Sequence, residues 1–337
     1  MRAIVCRELG PPSVLRLEEW PDPKMGPGQA RVKITAAGIN FPDILTIEGS
    51  YQHKPSLPFI AGFETAGEVI EVAPDVDAFA PGDRVLMRTR PGGFAEQAVV
   101  DALTLLPTPS TFDDITAAAF LVGYATAYHC LLQRGRLQPR EWVLIHGATG
   151  GVGLAAVEIA RLHGARIIAT GGDDDKLTVA RDYGADHVIN YRQGEFRSEV
   201  RDITGGAGVD LVYDPVGGDV FDQSLRCMAW HGRLVVIGFT SGRIPQLSLN
   251  YALIKGLSII GCRAGEARRH DPETGNRELR ELLAMANAGK LHPYVSHVLP
   301  LERAVEGMQL LLDRKVIGKA VLTMGSQLCR PILPSGH

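Results

Sequence analysis

Apolar positions follow two different rhythms along the chain. As far as about Pro109, short apolar runs such as Ala30 to Ile34 and Glu68 to Val72 are broken by Pro and Gly. Segments such as PDPKMGPGQ and APGDRV have the composition of turns, so this half predicts a β-rich barrel or sandwich. After Phe112 strands alternate with helices. Trp142 to Ile145 predicts a strand, Val152 to Leu162 a helix ending near His163 with Gly164 as its cap, and Ala165 to Thr170 the next strand. A helix over Asp173 to Tyr183, closed by Gly184, leads to a strand over His187 to Tyr191, and Val209 to Asp214, Arg233 to Ile237 and Leu257 to Gly261 predict further strands. Repeated units of this kind need a parallel sheet covered on both faces, which makes the second half α/β and doubly wound. Helices over Asn276 to Ala288 and Arg303 to Arg314 precede a strand, Ala320 to Met324, expected to return and complete the first domain. The tail from Ser326 to His337, with Pro331 and Pro334, is expected to be poorly ordered.

Between the first predicted strand and helix of the α/β half lies HGATGGVG, with glycines at 147, 150 and 153. A strand, a glycine-rich turn and a helix in that order are what a dinucleotide pyrophosphate requires. One glycine makes the tight turn, one lets backbone approach the phosphates, and one lets the helix pack on the strand. The helix N-terminus adds unpaired N–H groups and a partial positive charge. Gly147, Gly150, Gly151, Val152 and Gly153 are therefore candidate cofactor contacts.

Composition narrows the partners. At 337 residues the chain is long for one core, and its 45% hydrophobic and 22% charged content is that of an ordinary globular enzyme. A net charge of −3 without a basic block argues against nucleic acid or an anionic membrane as partner. No signal peptide or membrane-spanning helix is expected, and a cytoplasmic location is the expectation. Five dispersed cysteines, Cys6, Cys130, Cys227, Cys262 and Cys329, lack any CxxC pair and predict buried thiols rather than disulfides. His129 and His146, beside apolar runs, predict packed or capping residues, and Arg268, Arg269 and His270 a solvated loop.

A β-rich domain followed by a nucleotide domain, with AAGINFPD at 36–43, GFETAGEV at 62–69 and HGATGGVG, resembles the medium-chain dehydrogenase/reductase superfamily, and within it the zinc-independent, zeta-crystallin-like NADPH:quinone oxidoreductases. The resemblance covers nearly the whole chain. It implies a GroES-like catalytic domain (1–120), a Rossmann NADP-binding domain (121–265), a return to the catalytic domain (266–325) and a tail (326–337). It also implies a homodimer joined at edge strands of the nucleotide domain, with Leu257 to Gly261 as the candidate. Where the zinc enzymes of the superfamily carry a ligand cysteine and a ligand histidine, this chain has Asn40 and Phe63, and no four-cysteine lobe lies between Val85 and Ala98. Asp43 and Glu64 alone cannot close a zinc site, so no metal is expected and the two carboxylates are read as structural.

The cofactor choice turns on the end of the second nucleotide-domain strand. NAD enzymes place an acid there, whereas ARIIATGG ends in Gly171 and Gly172, which removes repulsion of a 2′-phosphate. The resemblance places Lys176 and Tyr191 at that phosphate, and Asp173 to Asp175 are read as an N-cap and first-turn charges. NADPH is the expected cofactor, and Gly171→Asp the substitution expected to favour NADH. By resemblance, Asn40, Thr126, Gly238, Phe239 and Lys319 lie near the nicotinamide end, Tyr51 and Asn40 are the candidate catalytic residues, and Tyr51 is a candidate proton donor in the cleft. Glu158, where the family commonly has glutamine, is expected to matter little. The reaction implied is hydride transfer from NADPH to a quinone. A 2-enoyl reductase acting on an enone or enoyl thioester is the alternative, and an NADPH-binding, crystallin-like structural protein the alternative of another class.

Overall fold

Residues 1–89 and 91–325 are described by the structure, a computed structural model. The tail expected to be poorly ordered, and Cys329 within it, lie outside the described residues. Two units form, one of residues 1–122 with 286 onward and one of 123–285. Residues 266–285, read from the sequence as the start of the return, group with the second unit.

The first unit is built on the long strand Gln29–Gly38, whose inward positions Ala30, Val32 and Ile34 alternate with exposed or half-exposed ones. It pairs antiparallel with Glu64–Val72 and Gln97–Asp101, and its far end takes Lys319–Thr323, with Val321 opposite Gly38. The late strand thus completes the early sheet. A second small sheet orders Arg16–Glu19, Arg2–Cys6 and Phe59–Ile60. Ile39, Ile44, Ile47, Phe94, Met308 and Leu322 belong to the core that joins the short helix Phe41–Ile47 to these sheets.

The second unit is a six-stranded, all-parallel sheet in the order His187–Asn190, Arg166–Gly171, Trp142–Ile145, Val209–Asp214, Met228–Val236, Ser258–Gly261. Counted along the unit this is 3-2-1-4-5-6, the doubly wound order that reverses beside its first strand. Local signals account for the helices. Asp173 caps Asp174–Asp182 by accepting from the Lys176 N–H at 3.1 Å, and Gly184 follows it with φ +109. Gly164 plays the same part, at φ +80, after the helix Gly151–Leu162. Ser258–Gly261 lies at the sheet edge, bonded on one side only. Residues 264–270, expected as loop, form a short helix, Ala264–His270, whose arginines engage Glu266 and Asn276. Cys6, Cys130, Cys227 and Cys262 are buried free thiols, as their spacing predicted.

Candidate functional site

Three of the glycines in HGATGGVG divide the expected labour. Gly147 sits at φ +57, a conformation that favours glycine, and turns the chain off the strand Trp142–Ile145. Gly153 is required by packing, because a Cβ there would lie 2.1 Å from the Gly147 carbonyl oxygen and 2.7 Å from Ala148 Cα. At Gly150 a Cβ would meet nothing closer than 3.5 Å. Its smallness has no internal cause, which fits a residue that leaves room for a phosphate at the N-terminus of the twelve-residue helix Gly151–Leu162.

Around this turn the second unit gathers other predicted residues. Thr126 is half-buried on the helix Leu121–Tyr128, which passes close enough that a Cβ on Gly123 would lie 3.1 Å from the Gly151 carbonyl. Val152 accepts a hydrogen bond from the Tyr213 hydroxyl at 3.3 Å. Gly238 and Phe239 pack on the loop after Val209–Asp214, with Pro215 oxygen 3.3 Å from a Gly238 Cβ and Phe239 Cδ1 2.9 Å from a Gly217 Cβ. That loop is held by Asp214, a buried carboxylate that composition did not single out. Its Oδ1 accepts from the N–H groups of Val216 and Gly217 at 2.8 Å each, while burial pushes its pKa up. His146 is buried between Thr170 and Ser224 hydroxyls, each at 2.8 Å, and burial lowers its pKa to about 3, so the ring is a neutral structural bridge. His129 contacts the Glu278 carboxylate at 3.1 Å. Glu158, expected to matter little, is buried and accepts from the Tyr124 hydroxyl at 2.6 Å. It anchors the helix beside the glycine turn.

The two glycines at the end of Arg166–Gly171 are not equivalent, a difference that bears on the expectation that Gly171 faces the adenosine ribose. A Cβ on Gly171 would point inward, 3.0 Å from Leu177 Cδ2 and 3.4 Å from Thr149 Cγ2. A Cβ on Gly172 would instead point at the Tyr191 hydroxyl, 3.1 Å away, and at Arg192 Nε, 3.0 Å away. Arg192 is a residue the sequence reading missed. It lies close enough to Lys176 that, after burial, its charge is among the causes lowering the lysine pKa. Tyr191 and Arg192 thus face Gly172 with a hydroxyl and a cation, and Lys176 lies within electrostatic reach of Arg192. Of the neighbouring acids, Asp173 caps the helix while its charge also acts on Lys176, and Asp174 is bonded by Asn190 Nδ2 at 3.0 Å and Gln193 Nε2 at 2.6 Å.

In the first unit, Asn40 and Lys319 meet although 279 positions separate them. Lys319 Nζ donates to Asn40 Oδ1 at 2.6 Å and to Glu64 Oε2 at 2.8 Å. Asn40 Nδ2 donates to Gly38 oxygen at 3.2 Å and to Glu64 Oε2 at 3.1 Å. Glu64 Oε1 accepts the Val122 N–H at 2.7 Å, so both of its oxygens are used. Gly38 permits this closeness, since a Cβ there would fall 2.2 Å from Ala118 oxygen and 3.0 Å from Glu64 Oε2. Asp43 completes the group. Its Oδ2 accepts the Asn40 N–H at 2.7 Å, Oδ1 has no hydrogen-bond partner among the described residues, and burial above all raises its pKa to about 7. Asp43 and Glu64 thus both hold neighbouring residues of this group through hydrogen bonds. Among the described residues, no cluster of three or more His, Cys, Asp or Glu side chains is arranged to hold a metal. Tyr51 lies in the loop after Phe41–Ile47, half-buried, its ring 6.0 Å from that of Phe63.

Comparison with known proteins agrees with this arrangement. The alcohol dehydrogenase GroES-like domain family matches residues 26–110, and the zinc-binding dehydrogenase family matches 151–285. The chain is 39% identical over 324 residues to the quinone oxidoreductase-like protein 2 homolog of Nematostella vectensis, covering 95% of this chain and 88% of that one. It is 33% identical to a 2-haloacrylate reductase of Burkholderia sp, covering 96% of this chain and 98% of the relative. Among solved structures, Escherichia coli quinone oxidoreductase complexed with NADPH superposes with a TM-score of 0.89 at 30% identity, covering 96% of this chain and all of that one. Among the described residues no helix is long and apolar enough to cross a membrane.

Proposed function

Since the chain belongs to the zeta-crystallin-like branch of the medium-chain dehydrogenase/reductase superfamily, we propose that it is an NADPH-dependent, metal-free reductase of quinones. The observation that carries the cofactor is Gly172 facing Tyr191 and Arg192, with Lys176 in electrostatic reach of Arg192, a set that fits a 2′-phosphate. Gly150, Gly151 and the helix N-terminus would hold the pyrophosphate. When bound, NADPH supplies a hydride. The chain's own residues fix its orientation through Thr126, Val152, Gly238 and Phe239. Gly172→Asp is expected to lower kcat/KM for NADPH at least tenfold relative to NADH, because the carboxylate would oppose a 2′-phosphate by up to about 4 kcal/mol at 4 Å. Steady-state assays with both cofactors check this, and an unchanged ratio would move the phosphate site elsewhere.

The absence of a metal in the working enzyme is read from the chemistry of the residues. A protein ammonium, that of Lys319, takes the Glu64 carboxylate, and Asn40 and Phe63 offer no good zinc ligand. Stoichiometric zinc in elemental analysis of the purified protein would refute this part. Reduction of an activated C=C is the second reading, favoured by the match to a 2-haloacrylate reductase. A panel of quinones, enones and enoyl thioesters with NADPH tests both, and a chain that retains NADPH without turning over any of them would be a binding protein instead.

Tyr51 carries the difference between the two reactions. After hydride reaches the β-carbon of an enone, charge grows on the carbonyl oxygen and a proton must follow, whereas a quinone spreads the charge over its own ring. We expect Tyr51→Phe to lower kcat on enones at least about tenfold and on quinones much less. Equal rates on enones would leave water as the proton source. The exposed Leu249, Leu253 and Ile254, on the helix leading into the edge strand Ser258–Gly261, support a homodimer through that edge. Light scattering should give a dimer mass for the parent and a monomer mass for Leu253→Asp.

A further inference from the structure

We propose that Lys319 is the electrophilic group of the reaction, donating a hydrogen bond to the substrate oxygen on which negative charge accumulates. This deepens the reductase reading above and rests on it. Asn40, expected near the nicotinamide, has both amide hydrogens committed, to Gly38 oxygen and Glu64 Oε2, and its Oδ1 accepts from Lys319. It has no N–H left for a substrate. An ammonium has three hydrogens, and Lys319 uses two, on Asn40 Oδ1 and Glu64 Oε2.

Exposure points the same way. The Glu64 side chain is wholly buried, while Lys319 keeps 7% of its side-chain surface accessible, so the open end of the ion pair is the lysine. Glu64 and Asn40 act as positioning residues that hold the cation on one heading. Fixed donors aimed at developing charge need no reorganisation when the charge appears. In balance, hydride adds to the carbon β to the carbonyl, the C=C pair moves to form the double bond to the carbonyl carbon, and the carbonyl pair moves onto oxygen. The product is an enolate, which for a quinone is the keto tautomer of the hydroquinone anion and reaches it by a proton shift from the hydride-bearing carbon. Lys319 stabilises this anion without giving up its proton. The neutralising proton comes from Tyr51 or from water, and NADP⁺ leaves.

The test compares Lys319→Met and Lys319→Arg with the parent by three measurements. The first is kcat at saturating NADPH, expected to fall about a hundredfold for Lys319→Met and to be partly restored by Lys319→Arg. The second is NADPH affinity by fluorescence titration, expected to stay within a few fold. The third uses 4-nitrophenol as a stand-in for the product anion in the presence of NADP⁺. Its bound form should ionise about one pH unit lower on the parent than in water, and not on Lys319→Met. Lys319→Met leaves Glu64 buried without its cation, so Lys319→Met/Glu64→Gln, checked by thermal melting, separates lost folding from lost chemistry. A parent that reduces quinones or enones while Lys319→Met loses NADPH affinity and keeps kcat would overturn the proposal and make Lys319 a cofactor contact. A parent that turns over nothing in the panel would instead remove the reductase reading itself, and this proposal with it.

Discussion

Gly153→Ala is expected to weaken NADPH binding at least about a hundredfold, a loss of roughly 2.7 kcal/mol, while Gly150→Ala weakens it without touching the fold. The two substitutions add the same atom to one turn. At 153 the methyl would enter the Gly147 carbonyl, 2.1 Å away, so either the turn or the helix Gly151–Leu162 must move. That displacement withdraws the N–H groups at the helix start from a phosphate. At 150 the methyl has 3.5 Å of clearance in the free protein, so its melting temperature should match the parent. Thermal melts paired with fluorescence titration distinguish them. If both variants melt and bind as the parent does, the turn does not carry the pyrophosphate.

The second large effect concerns pH. Asp43 has an ordinary pKa of 3.8 and one of about 7 in the folded chain, raised by burial first and by Glu64 in addition, against the pull of the Asn40 N–H and Lys319. A raised acid keeps its proton in the folded state while the unfolded state gives it up. Its contribution is therefore whole below about pH 4 and drains away as pH rises through 7, to a total of up to about 4 kcal/mol. An amide in place of this carboxyl would not titrate, yet its oxygen could still accept the Asn40 N–H. Relative to the parent, Asp43→Asn should gain stability steadily between pH 4.5 and about pH 7 and level off above it, read from urea midpoints at several pH values between pH 4.5 and pH 8.5. A constant difference across that window would mean that Asp43 is ionised in the folded protein throughout.

What could be read from the sequence was local. The strand, glycine turn and helix around 142–162 lie within one stretch, and the cap Asp173 and the stop Gly184 act on their own neighbours, so spacing alone predicts them. Gly171 and Gly172 differ by one position in a pleat, and composition cannot say which faces inward. Arg192 escaped notice because its nearness to Lys176 arises from parallel pairing of Arg166–Gly171 with His187–Asn190, with Gly171 opposite Asn190. The bonds from Lys319 to Asn40 and Glu64 span 279 and 255 positions, and no periodicity reports them. The saturation of the Asn40 amide follows only from geometry. The stretch at 264–270, with three basic residues, reads as a solvated loop in the sequence, and the bonds of Arg269 to Glu266 and of Arg268 to Asn276 that accompany its helix depend on the fold rather than on local pattern.

The return of Lys319–Thr323 to the edge of Gln29–Gly38 has a consequence for how the protein is made. Residues 123–285 are continuous, so the ribosome releases every part of that unit before the strand Lys319–Thr323 exists, and it can fold on its own as it emerges. The first unit cannot. During synthesis it must wait with Gly38, Ala37 and Ala36 unpaired on that side, and Glu64 without its lysine, until residues 319–323 clear the exit tunnel. A nascent chain stalled before residue 319 should therefore already protect the glycine turn from protease while the strand Gln29–Gly38 remains open to cleavage, with the partnerless sheet edge offering chaperones their main point of capture.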